Sequence, residues 1–359
     1  HEPSMAGLSD GGYVITWISS GQDGSSNGVY GQRYGASGST LGDEFLINTY
    51  TSGDQSYPDV TGLANGGFFA TWRDTSGSGG SRGGSSHDVF GQLFDASGVA
   101  QGAEVRVNTY TNNKQDHPDV TSLADGGFVV TWHSNYQDTG SSDYGIYAQR
   151  YDANGATSGA EFQVNSYTSN EQQYSSVAAM DDGGFVVTWQ DNTSQDSDDT
   201  SGWGIRGQRY DANGDTFGDD FAVNTYTSGN QYYPDVTGLA GGDFVVTWGD
   251  ETTHADRPGT DTSGWGVFGQ VFTTSNADGD AAVTMSGDQF QLNTTTSSTQ
   301  YDVSVVTLTD GNFVTTWYNG ANNDIRAQVF KSDGSKVGSE IDVDEDNAFS
   351  SQQPSITAL

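Results

Sequence analysis

Asp125-Gly-Gly-Phe-Val-Val-Thr-Trp132 decides how this chain is read. The same pattern returns at 10–17, 65–72, 182–189, 241–248 and 310–317, so the sequence is six copies of one unit. Within it, Phe128, Val130 and Trp132 alternate with Val129 and Thr131, which is the period of a β-strand with both faces apolar enough to be buried. The preceding Asp or Asn with Gly is hairpin-turn chemistry.

Working outward from this second strand, a first strand precedes it at 58–63 and is echoed at 3–8, 118–123, 175–180, 234–239 and 303–308. A third strand follows at 28–34, 88–94, 145–151, 204–210, 266–272 and 324–330. A fourth lies at 44–48 and near Glu104, Glu161, Asp220, Gln289 and Glu340. The turn before it reads Asp-Ala-Asn-Gly at 152–155 and 211–214, where Asn-Gly supplies the positive φ of a tight turn. Four antiparallel strands per repeat, with no helical period, predict an all-β six-bladed β-propeller. One repeat domain is expected over 1–359, with blades near 3–57, 58–117, 118–174, 175–233, 234–302 and 303–353. Residues 354–359 form an extra copy of the first strand. The alternatives are an open stacked β-repeat array or a fragment of a longer repeat chain.

Composition narrows the partners. The chain has 47 acidic and 12 basic residues, a net charge of −35, which repels nucleic acid and anionic membranes and attracts cations. There is no Cys, so no disulfide supports the fold, and no run of about 18 apolar residues marks a membrane span. The start at His1 is expected of a processed protein or an excised fragment.

Hairpin direction places the loops between second and third strands on one edge of each blade, and these loops are long and variable. They carry oxygen ligands: Asp23 and Asn27; Asp138 and Asp143; Asp196, Asp198 and Asp199; Asp250, Asp256 and Asp261; Asn322, Asn323 and Asp324. Carboxylates on Gly-rich backbone suit Ca²⁺, although no loop has EF-hand spacing; a solvated acidic loop is the alternative. On the same edge Tyr144, Trp203 and Trp265 stand just before third strands, as ring platforms for sugar or as packing between blades.

Other features read as structure. The third-strand glutamine recurs at 32, 92, 149, 208, 270 and 328, which fits a buried bracket better than six active sites. Arg33, Arg150 and Arg209 each precede an acid by eleven residues (Glu44, Glu161, Asp220), a spacing that pairs them across a hairpin. The histidines at 1, 87, 117, 133 and 254 do not repeat and have no evident nucleophile beside them.

The combined motifs between Asp125 and Asn165 resemble tandem repeats of large secreted bacterial proteins of the RTX and adhesin type. The resemblance covers nearly all of the chain and implies an exported, extracellular or cell-surface, calcium-associated protein. The RTX nonapeptide is missing, so no calcium ligand is carried over. The expected function is a non-enzymatic module that binds glycans or a cell-surface or matrix protein through its loops. Two alternatives stand beside it: a structural protein that self-assembles through its terminal strand, and an enzyme acting on polysaccharide.

Overall fold

The computed structural model describes residues 1–76, 87–138, 143–192, 202–251, 264–277, 280–343 and 353–359. These residues form six four-stranded antiparallel sheets, one per repeat, the expected blades of a six-bladed β-propeller. The chain divides into two compact units, His1–Ser169 with Thr357–Leu359, and Asn170–Ile356.

In the first unit, blade 1 holds β1 (Ser4–Gly7), β2 (Tyr13–Ser20), β3 (Asn27–Tyr34) and β4 (Thr40–Leu46). Blade 2 holds β5 (Gln55–Gly62), β6 (Phe68–Asp74), β7 (Asp88–Phe94) and β8 (Ala100–Arg106). Blade 3 holds β9 (Gln115–Ser122), β10 (Phe128–Asn135), β11 (Tyr144–Tyr151) and β12 (Phe162–Gln163). In the second unit, blade 4 holds β13 (Gln172–Ala179), β14 (Phe185–Asp191), β15 (Gly204–Tyr210) and β16 (Phe221–Ala222). Blade 5 holds β17 (Gln231–Gly238), β18 (Phe244–Glu251), β19 (Trp265–Ala277) and β20 (Asp280–Gln291). Blade 6 holds β21 (Gln300–Thr307), β22 (Phe313–Asn319), β23 (Asp324–Phe330) and β24 (Lys336–Asp342).

The repeated motif is blade interior. Trp72, Trp132, Trp189, Trp248 and Trp317 are fully buried, and so are Phe128, Val129 and Val130. Truncating such a Trp to Ala costs about 3–5 kcal/mol. The two glycines of the turn differ in role. Gly126 has φ +86, whereas a Cβ on Gly127 would meet the Tyr151 carbonyl oxygen at 2.2 Å. Asp125 completes the turn by accepting from the Gly127 amide at 2.9 Å. The Asp152 and Asp211 turns work alike, with Asp211 accepting from Asn213 and Asp215 amides at 2.8 and 3.0 Å.

The third-strand glutamines are brackets, as expected. Gln149 Nε2 donates to the Arg150 and Gly159 carbonyls at 2.8 and 3.3 Å, and Gln32, Gln92, Gln208, Gln270 and Gln328 do the same in their own blades. Arg33 and Arg150 have a partner that their spacing did not indicate. They reach the hairpin-turn acids Asp10 and Asp125 at 3.9 and 3.6 Å, and Arg209 reaches Asp182 in the same way. Asp220 pairs with Arg206 at 2.6 Å. Each turn acid uses one oxygen for its turn and the other for the arginine.

Neighbouring blades within a unit are joined along their first strands. Asp59 accepts from Ser4 Oγ at 2.6 Å and from the Val120 amide at 2.8 Å, so one carboxylate of blade 2 holds both blade 1 and blade 3. Asp235 of blade 5 does the same with Ser176 Oγ at 2.9 Å and the Val305 amide at 2.8 Å. At the chain's end, Gly7 donates to Thr357 Oγ1 at 3.1 Å, as Ser122 donates to Thr61 Oγ1 at 3.0 Å. Residues 357–359 therefore take beside β1 the place that first strands take beside one another.

Candidate functional site

The edge where first strands begin and second strands end carries one irregularity, and it recurs. In blades 2 to 6 the pairing of first with second strand shifts register opposite the motif Trp, so that two residues face one. The first of the two is Tyr57, His117, Tyr174, Tyr233 or Asp302, with φ between +49 and +52, and Glu2 at the matching place in blade 1 has φ +49. None of the six is glycine, although left-handed backbone costs a side chain of this kind on the order of 1 kcal/mol or more. In four blades the next residue is Pro (Pro3, Pro58, Pro118, Pro234), whose missing N–H makes the skipped ladder bond no loss. Such bulges turn a side chain out of its strand's normal alternation, and backbone strain of this type collects at functional sites.

In the first unit this edge is polar and charged. Asp116, just before the bulge, is cross-strand partner of His133. Its Oδ1 lies 3.3 Å from His117 Nδ1, and its Oδ2 lies 3.0 Å from His87 Nδ1. Arg73 Nη1 donates to both oxygens at 3.2 and 3.3 Å, while Arg73 Nη2 donates to Ser56 Oγ at 2.6 Å. Burial alone would raise the Asp116 pKa, but the hydrogen bonds from His117 and His87 outweigh it and hold this carboxyl well below the usual range. Burial, followed by the charge of His117, pushes His133 down to about 3, so its imidazole is neutral. The rings continue the contact: His117 lies 3.9 Å from the Tyr57 ring centroid and 4.9 Å from that of His133. Tyr57 also lies under Arg73 at 4.5 Å, and its amide donates to Glu2 Oε2 at 2.8 Å.

In the second unit this edge is rich in aromatic rings. Tyr174 meets Tyr233 edge-on at 4.9 Å, and Tyr301 meets Tyr318 at 4.8 Å. Tyr232 stacks on Trp265 at 5.2 Å and touches Trp203 at 6.0 Å. Tyr233 is 42 % exposed, a large ring offered to solvent. Asp302 stands at the bulge of blade 6, and burial pushes its carboxyl up to about 6. Its charge in turn helps to raise Tyr233, for which burial is the larger cause.

The platform residues expected from sequence fall here in part. Trp203 and Trp265 meet through Tyr232, and Tyr144 lies edge-on to His133 at 4.9 Å. The expected calcium residues are more scattered. Asp23 accepts from the Ser25 amide at 3.0 Å in its loop, whereas half-buried Asn27 already belongs to β3, opposite Ser20. Asp138 and Asp143 share another loop; burial raises the Asp138 pKa and the charge of Asp143 adds to it. Asp250 is buried in β18 opposite Gln231, and Asp324 is buried between Asn319 at 2.9 Å and Arg326 at 2.6 Å. Asp196, Asp198, Asp199, Asp256 and Asp261 lie outside the described residues. Among the described residues, the one group of three acids or histidines close enough to share an ion is Asp116, His117 and His133.

The residues of this edge are not among those that repeat. The bulge position reads Glu2, Tyr57, His117, Tyr174, Tyr233, Asp302, and the residue after the motif Trp reads Ile18, Arg73, His133, Gln190, Gly249, Tyr318. Variable letters inside a fixed frame were the available signal.

No protein-family model matches the sequence, and no curated protein sequence matches it significantly. The fold is similar to that of solved structures. One is a mutant α-L-arabinofuranosidase from Fusarium graminearum in complex with an iminosugar inhibitor, with TM-score 0.54, 12 % identity and 92 % of both chains covered. Another is the intramolecular trans-sialidase from Ruminococcus gnavus in complex with oseltamivir carboxylate, with TM-score 0.52, 10 % identity, and 94 % of this chain and 96 % of that one covered. A third, of unknown function, comes from Dyadobacter fermentans, with TM-score 0.51, 12 % identity, and 80 % and 82 % covered. At these identities the likeness concerns the fold. It nevertheless overturns the expectation of a non-enzymatic adhesion module, because the propellers that this chain resembles include enzymes acting on glycans.

Proposed function

We propose that this protein is a glycan-acting enzyme that cleaves glycosidic bonds at the bulge edge of its second unit. Asp302 is the proton donor, and Tyr174, Tyr232, Tyr233 and Trp265 form the surface on which sugar rings stack. The observation that carries this reading is the Asp302 carboxyl, held protonated up to about pH 6 at a strained backbone position that the fold fills with five other residues in its other blades.

Cleaving a glycosidic bond needs a proton on the departing oxygen as the bond breaks and a water molecule to take that oxygen's place at the anomeric carbon, and a carboxyl with raised pKa can still hold the proton near neutral pH. The apolar C–H faces of a sugar pack on aromatic rings, while a few polar groups fix its orientation. Tyr233 and Asp302, neighbours through their electrostatic coupling, offer one of each. The similarity of the fold to an arabinofuranosidase and a trans-sialidase supports the substrate class and the reaction type.

The test is turnover of arabinofuranosides, sialosides and unsubstituted polysaccharides by the wild type and by Asp302→Asn. Activity on at least one class should be lost in the variant with natural leaving groups and partly restored with a nitrophenyl leaving group, which needs no protonation. If the wild type turns over none of the panel, or Asp302→Asn matches it, the assignment is wrong.

A further inference from the structure

The first unit's edge has chemistry that proton donation by Asp302 does not use. Asp116, His117 and His133 present ligand atoms that all lie within 4.8 Å of one another. The bulge makes this grouping possible: a regular strand would send Asp116 and His117 to opposite faces, whereas the left-handed His117 brings both side chains to one place. His133 joins them from β10 as the cross-strand partner of Asp116. We propose that Asp116, His117 and His133 bind a divalent transition-metal ion of the zinc class, with a remaining coordination position for a small oxygen or nitrogen ligand.

The donor set fits. Two imidazoles and one carboxylate suit zinc and its first-row neighbours rather than calcium, which prefers six to eight oxygens. In a tetrahedral zinc site with bonds of about 2.1 Å the donors stand roughly 3.4 Å apart, so these three need only draw together slightly. His87, 3.0 Å from the other carboxylate oxygen, is the outer partner that metal-bound carboxylates commonly have, and acts as a positioning residue. A surface of net charge −35 concentrates cations, and Glu2 adds a carboxylate beside Tyr57.

Arg73 opposes the ion. Its guanidinium neutralises Asp116 through both oxygens, so a metal must compete with it. This separates a metal site from a structural ion-pair hub. At a metal site, Arg73→Met frees a ligand and tightens binding; at a hub, it only destabilises the fold.

The experiment is calorimetric titration of the chelator-stripped full chain with Zn²⁺, with Co²⁺ as a spectroscopic substitute. One ion per chain and a visible Co²⁺ band of a nitrogen and oxygen site are expected, unaffected by excess Ca²⁺. His117→Gln, which alters a partly exposed side chain, should weaken Zn²⁺ at least about 10-fold, and Arg73→Met should strengthen it. His133→Gln should abolish the band, and thermal melts will show whether that buried substitution is tolerated. Absence of the band, displacement by Ca²⁺, or unchanged affinity in His117→Gln would overturn the proposal. Neither readout involves turnover, so the metal site stands or falls apart from the glycan reading.

Discussion

The two bulge edges occupy the same place in their blades and carry opposite chemistry. In blades 2 and 3 an ionised carboxylate is enclosed by an arginine and histidines, whereas in blades 4 to 6 tyrosines surround a carboxyl that resists ionisation. The frame is identical, namely a buried motif strand, a buried Trp and a left-handed residue beside it. What differs is the nature of the partners, and in particular whether cations face the acid. Asp116 has them, so hydrogen bonds outweigh its burial; for Asp302, burial is the single cause of the shift.

The sharpest way to separate the edges is by activity. Asp302→Asn should lower kcat by roughly 10²–10⁴-fold on natural glycosides, the usual worth of a positioned proton donor. In the wild type kcat should fall as pH rises through about 6, where Asp302 gives up its proton. A pH profile flat from about 5 to about 8 in steady-state assays would break the contrast.

Stability should move in opposite directions. The native pKa of Asp116 lies below the ordinary carboxylate value, so its contribution is present above that range and fades as pH falls. Asp116→Asn strips half-buried Arg73 of its buried charge partner and should cost about 3 kcal/mol at pH near 7, read by denaturant unfolding. Asp302 has a native pKa near 6 against a reference of 3.8, so its ionisation costs stability as pH rises through that interval. Asp302→Asn should therefore stabilise the protein by about 2 kcal/mol at mildly alkaline pH and by little at pH near 4, using the same unfolding measurement. Two losses of equal size would mean that the edges are electrostatically alike.

The smallest effect concerns the exposed ring. Tyr233→Ala should raise KM by a factor of about 2–10, the worth of one aromatic contact, with kcat held. Binding titrations with an unreactive oligosaccharide check it, and unchanged affinity would remove Tyr233 from the platform.

Much of the fold was legible in the sequence because the elements that build it repeat. Asp125-Gly-Gly marked a turn, Phe128 to Trp132 marked a strand buried on both faces, and Gln149 marked a bracket; each is such in the structure. The candidate site was less legible for the same reason. Tyr57, His117 and Asp302 sit one residue out of strand alternation, and no local pattern announces a bulge when the left-handed residue is not glycine. Trp203 and Trp265 stood out as aromatic rings before third strands, but Tyr232, which lies between them in space, precedes the first-strand motif at 234–239 and matches nothing that repeats. The pairing of Asp116 with His87 depends on contact between strands far apart in sequence, which spacing within one repeat does not encode.

Asp59 and Asp235 carry a consequence for how such a chain can be shortened or grown. Each belongs to the middle blade of its unit and satisfies a hydroxyl in the blade before and an amide in the blade after. Excising blade 2 or blade 5 would remove the shared acceptor and leave donors on two flanks unanswered at once. Within each unit the middle blade is therefore the one that cannot be removed without unsettling the other two.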